Sequence, residues 1–128
     1  MLVAANIDKS QNIQAFLKGK VLKELGKGVA GMNGYIYPSV LQSAAIPVLK
    51  KNEKNSVIIK YSEMSGIKLT YLLPIMNQQI KEAVANDNEK VLYTMVLCHS
   101  MKRCDEMASF STDLTRFCSD IIDVVLFD

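Results

Sequence analysis

An α/β fold, with helices on both faces of a parallel sheet, is what this sequence predicts, and three observations predict it. Residues 56–61, 91–98 and 121–127 are runs of strand length that stay apolar almost throughout, as strands buried on both faces do. The stretches between them place apolar residues every three or four positions, which is the helical period. Alternation of the two kinds of segment calls for right-handed crossovers between parallel strands.

Residues 13–25 carry Ile13, Phe16, Leu17, Val21, Leu22 and Leu25 at helical spacing and predict one amphipathic helix, weakened at Gly19. A connection containing Gly26, Gly28, Gly31 and Gly34 leads to Tyr35, Ile36, Tyr37 and Pro38. Pro38 suits the first turn of a second helix, which ends near residue 49. The polar run 50–55 predicts a solvated turn before the first strand, whose β-branched residues suit a buried position. Helical spacing returns over 67–85, where Pro74 predicts a kink because it lacks a backbone donor, and Asn86, Asp87 and Asn88 close the helix. After the second strand, Met101, Cys104, Met107, Ala108, Phe110, Leu114 and Phe117 mark a helix over 100–118. Residues 1–30 thus read as a helical lead-in and 31–128 as the sheet-bearing part.

A length of 128 residues with 49% hydrophobic content supports one domain, or part of one, with a real core. The balance of 15 Lys and Arg against 13 Asp and Glu leaves a net charge of +2, too balanced to announce a nucleic-acid or membrane partner by charge alone. Three cysteines without paired spacing, no signal-peptide pattern and no apolar run of membrane-spanning length predict a cytoplasmic, reducing location and no membrane partner. Cys98, His99, Cys104 and Cys118 match no zinc spacing, so they predict buried free thiols and no metal. His99 lacks a spaced nucleophile and acidic orienter.

Residues 34–47 contain Gly34 and Tyr35, then Pro38, Gln42 and the sequence Ala45, Ile46, Pro47. This stretch resembles the Q motif of DEAD-box RNA helicases. Residues 69–75 resemble the start of the helix after that family's nucleotide loop, and 96–100 with 124–126 resemble its motif Ia strand and the next strand. The resemblance runs from about Phe16 onward and implies the N-terminal part of a RecA-like, P-loop NTPase-type helicase domain, with 31–128 a partial first RecA-like domain. It places Gln42 where the family reads the adenine edge and Phe16 near its base-stacking aromatic. The plainer alternatives are that Gln42 caps a helix or turn and that Phe16 belongs to the core.

The family's loop uses glycines to turn backbone amides around phosphates, a lysine to neutralise them and a hydroxyl to hold magnesium. Aligned on 69–75, Met64 stands at the first glycine, Ile67 at the lysine and Lys68 at the hydroxyl; Gly66 is retained. Sliding the register so that Lys68 becomes the lysine puts Leu69 at the hydroxyl. The expectation is a vestigial site of Gln42, Phe16 and Gly66, weak or absent ATP binding, no cofactor and no enzymatic activity. At motif Ia, Ser100, Lys102 and Arg103 are candidate RNA contacts, with an exposed helix start as the alternative.

The acidic tetrad and the second RecA-like domain lie outside these residues, so unwinding by this chain alone is not expected. Such loop erosion resembles that of Yb-type Tudor-domain proteins of the piRNA pathway. The resemblance implies an inactive scaffold for single-stranded RNA or protein in cytoplasmic ribonucleoprotein granules. An open sheet edge would allow self-association. Two other readings stay open: a piece of an active ATP-dependent RNA helicase, and a protein-interaction module with no nucleic-acid role.

Overall fold

The computed structural model describes residues 7–32, 35–51, 54–86 and 94–127. Its helices, in chain order, are α1 (Ile13–Leu17), α2 (Lys23–Ala30), α3 (Val40–Lys51), α4 (Ile67–Ala85) and α5 (Met101–Leu114), followed by a 3-10 turn, Arg116–Cys118. Helix α4 organises the rest. Leu69, Leu72, Leu73, Met76 and Ile80 form one buried stripe along it, the geometry that three- and four-residue spacing imposes. The same cluster takes in Ile13, Phe16 and Leu17 from α1, Leu25 and Val29 from α2, Ile46 from α3, and Leu114 from α5. Each such side chain contributes about 2 kcal/mol by leaving water. The lead-in helices therefore share one core with the helices that follow.

The helix expected over 13–25 is two helices. Asn12 caps α1 by accepting from the Ala15 amide at 2.8 Å, and Gly19, at φ 77°, turns the chain out of helical geometry. A polar anchor fixes the break: the Leu22 amide, at the start of α2, donates to Asn77 Oδ1 on α4 at 2.7 Å. Helix α3 begins at Val40, so Pro38 lies before it rather than in its first turn. Helix α4 keeps its expected bounds and continues through Pro74. Of its expected closing residues, Asn86 donates its side-chain amide to the Glu82 carbonyl at 2.8 Å, while Asp87 and Asn88 lie outside the described residues. Helix α5 ends at Leu114 instead of 118; Thr115 turns its hydroxyl back to the Ser111 carbonyl at 2.7 Å, and the 3-10 turn follows.

The three apolar runs pass beside the helices without forming a ladder. Residues 56–62, 94–98 and 122–127 run without helix, turn or bend, and no strand is assigned among the described residues; residues 91–93 lie outside them. The parallel sheet thus stays an expectation. One antiparallel bridge joins Ile7 to Ser39. Beside it the Asp8 amide donates to the Pro38 carbonyl at 2.9 Å, and the Ile13 amide donates to the Ile36 carbonyl at 2.8 Å. These bonds dock the chain before α1 against the chain before α3.

Candidate functional site

Between α3 and α4 the sequence builds a closed set of polar bonds. The Gln42 amide donates to Ser39 Oγ at 3.0 Å, and the Ser39 amide donates to Gln42 Oε1 at 2.9 Å. This reciprocal pair is a capping box, which satisfies two of the amide donors a helix start leaves open. Both side chains then reach onward to the loop before α4. Ser39 donates its hydroxyl to the Ser65 carbonyl at 2.7 Å, and Gln42 Nε2 donates to the Gly66 carbonyl at 3.1 Å. Thr70 also sends its hydroxyl to the Gly66 carbonyl, at 2.9 Å. Ser39, Gln42 and Thr70 are fully buried.

The loop keeps an unusual backbone. Met64 (φ 59°) and Gly66 (φ 74°) are both left-handed, and Met64 is the one non-glycine with positive φ among the described residues. Met64 is the residue expected from the resemblance to replace a glycine, and its backbone adopts a conformation that favours glycine. An L-side chain in this conformation costs roughly 1 kcal/mol. Because Met64 is half-exposed, Met64→Gly gives up little packing; it is expected to raise stability by about 1 kcal/mol, read as a higher urea midpoint, and an unchanged or lower midpoint refutes the strain.

Gly66 is the N-cap of α4 and has no side chain to bond its first-turn amides. Ser65 is buried, and its hydroxyl has no partner among the described residues. Lys68 lies over Phe110, its ammonium 5.0 Å from the ring centroid, and Phe110 meets Tyr35 edge to face at 6.3 Å. Burial pushes the Tyr35 phenol above its ordinary pKa. Lys68 is thus engaged with the aromatic pair, and an ammonium cannot ligate magnesium where a hydroxyl would. The residues at this position do not fit that ion.

The other expected site residues lie apart from this network. Phe16 is buried in the core cluster, with the Lys20 ammonium 4.7 Å from its ring centroid, so its helical spacing signified core. Gly34 lies outside the described residues. Ser100 caps α5, its hydroxyl accepting from the Arg103 amide at 3.2 Å. Lys102 is exposed, and Arg103 pairs with Glu106 at 3.1 Å. Of the three cysteines expected to be buried, Cys118 is, whereas Cys98 and Cys104 are half-buried. Burial raises the Cys118 thiol above its ordinary pKa, with Glu24 and Asp120 adding to the shift. Desolvation and then Cys98 raise the Cys104 thiol. Burial, with Cys98 and Tyr61 nearby, raises the Tyr71 phenol. No group of three or more His, Cys, Asp or Glu that could hold a metal occurs among the described residues, and no described helix is long and apolar enough to cross a membrane. Ser39 and Thr70 are the site residues that sequence reasoning missed. The signal for Ser39 was its place three residues before Gln42, the capping-box spacing.

No protein-family model and no solved structure matches the chain. Curated relatives do. The chain is 28% identical over 123 residues, 94% of its length, to the ATP-dependent RNA helicase DBP9 of Candida glabrata. It is 28% identical over 117 residues to the same-named protein of Saccharomyces cerevisiae and 27% identical over 117 residues to that of Kluyveromyces lactis. The chain spans about a fifth of the length of these relatives. Their consistent naming as enzymes overturns the expectation that the altered loop makes this a non-enzyme. None of these relatives is named for a Tudor domain or the piRNA pathway. The likeness is low in identity but spans nearly the whole chain, and it supports a DEAD-box helicase-like segment with an RNA-helicase-related function.

Proposed function

We propose that this chain is the nucleotide-facing part of an ATP-dependent RNA helicase, and that the loop over residues 63–66 receives the phosphates of ATP through its backbone. The observation that carries the reading is the pair of left-handed residues, Met64 and Gly66, flanking buried Ser65 at the uncapped start of α4. Ser39 and Gln42 take up the carbonyls of Ser65 and Gly66, which leaves the amides of this turn and of the first turn of α4 for an anion. Consecutive amides at a helix start attract phosphate without help from a side chain. Gln42 is fully buried and both ends of its amide are engaged, so its part is to hold the turn in place for the phosphates. The exposed start of α5, with Lys102, is the corresponding RNA-facing element.

With Ile67 at the lysine position, the isolated chain is expected to hold nucleotide weakly, with a Kd on the order of 1 mM, about 4 kcal/mol. Titration with ADP, followed by the NMR shifts of backbone amides, tests this. Shifts concentrated on residues 64–69 are expected, and of similar size for ADP and GDP, because the contact is made to the phosphates. Unmoved amides over 64–69 at several millimolar ADP would sink the proposal.

A further inference from the structure

The extended run over residues 94–98 ends at Cys98, the chain bends through His99, and Ser100 caps α5. Cys104 stands one turn into that helix, its amide donating to the Ser100 carbonyl at 3.0 Å. Cys104 and Met107, three residues apart, share a face of α5. That face is turned to α4, since Tyr71 donates its hydroxyl to Met107 Sδ at 3.5 Å. Cys98 borders the same tyrosine: burial and then Cys98 raise the Tyr71 phenol. The fold thus brings Cys98 back over the first turn of the helix that follows it, and the Cys104 thiol donates a hydrogen bond to the Cys98 sulfur. Both cysteines are half-buried and open to a small reagent, whereas Cys118 is 2% exposed.

Two thiols in contact at a partly open helix start suit thiol–disulfide exchange, because the second sulfur attacks from within the molecule. We propose that Cys98 and Cys104 form a reversible dithiol–disulfide site, oxidised by a small disulfide of the glutathione class, with Cys98 the attacking sulfur and Cys104 the resolving one. The Cys98 thiolate attacks one sulfur of oxidised glutathione; that S–S bond breaks, and the first glutathione leaves as a thiolate that takes up the proton Cys98 lost. Cys104 then gives up its proton and attacks the Cys98 sulfur of the mixed disulfide, and the second glutathione leaves with that proton. The protein loses a pair of electrons and the reagent gains it. Order follows from surroundings. Desolvation, the bond to Cys98, and the charges of Cys98 and Asp105 hold Cys104 protonated, so it is the thiol that waits. Burial, with Glu24 and Asp120, keeps Cys118 protonated too, and its lack of exposure keeps it out of the exchange. The ring so closed contains residues 99–103, and it ties the end of the extended run to the Ser100 cap and to exposed Lys102. Nothing in it depends on the nucleotide loop.

Incubating the whole chain with oxidised glutathione, quenching with acid and mapping the peptides by mass tests this. The expected product is a monomer bridged between Cys98 and Cys104, two hydrogens lighter, with Cys118 free, and dithiothreitol is expected to reverse it. In Cys104→Ser the reaction is expected to stall with glutathione on Cys98, at a level on the order of 10-fold above that in the natural chain. In Cys98→Ser, Cys104 is expected to stay largely unmodified over the same time. The bridged chain is expected to show a higher urea midpoint than the reduced one, because the ring restricts the unfolded chain. Glutathione retained on both cysteines without a bridge overturns the inference, as do disulfide-linked dimers in its place. Equal modification of the two variants overturns the assignment of attacking and resolving sulfur. A lower urea midpoint on oxidation would show that the folded chain does not present the two thiols to each other, and would overturn the site itself.

Discussion

Gly28→Ala is expected to destabilise the chain by about 2 to 3 kcal/mol, although alanine is the better helix former. Gly28 lies inside α2, where propensity alone favours alanine by about 1 kcal/mol. Packing opposes it. A Cβ at Gly28 overlaps the Leu114 carbonyl of α5, a backbone group that cannot rotate away. Relief would require α2 and α5 to separate, yet Leu25, Val29 and Leu114 are fully buried in the shared core. Forced insertions of this kind cost about 1 to 3 kcal/mol and sometimes more, so packing outweighs propensity. Gly26 in the same helix is the matched control. A Cβ there meets only Gln14 Oε1, at an ordinary 3.6 Å, so Gly26→Ala is expected to stabilise by up to about 1 kcal/mol. Urea denaturation of the two variants should shift the midpoint in opposite directions. Shifts of the same sign would mean that the approach of α2 to α5 is not what holds Gly28.

How much of this was legible depends on where each signal resides. The stripe on α4 was legible in full, because Leu69 to Ile80 repeat without interruption and burial follows directly from the period. Phe16 was legible as core for the same reason. The break at Gly19 was not, since propensity prices glycine as a weak helix residue and carries no information on whether its φ turns positive. The close pass of Gly28 under Leu114 was equally hidden, being a contact between residues 86 apart in sequence. At the candidate site, resemblance gave the register and so drew attention to Met64 and Gly66. That Met64 and Gly66 are both left-handed could only come from coordinates. The sheet is illegible for another reason: pairing depends on which strands lie side by side, and the apolar runs find no such neighbour among the described residues.

Gln42→Glu is expected to cost about 3 kcal/mol at neutral pH and to regain much of that in acid. The chemistry of its neighbours fixes which way the amide faces: a donor, the Ser39 amide, meets one end and an acceptor, the Gly66 carbonyl, meets the other. A carboxylate keeps the first bond and sets a buried negative oxygen against the Gly66 carbonyl, a loss of about 1 to 3 kcal/mol with a desolvation cost added. Protonation restores the donor. The folded pKa of the new carboxyl therefore lies above its unfolded value of about 4.3. The sign follows: the lost stability is restored below the unfolded pKa and withdrawn as pH rises through the folded one. Gln42→Ala has no such group and is expected to cost about 2 to 3 kcal/mol at every pH, because it orphans the buried Ser39 amide. The Gly66 carbonyl keeps its bonds from the Thr70 hydroxyl and amide, so little of that cost falls on the loop. Urea midpoints of both variants between pH 4 and pH 7 check the argument. Parallel pH profiles would show that Gln42 does not bridge α3 to the loop, and with that the link between the capping box and the turn over residues 64–66 would fail.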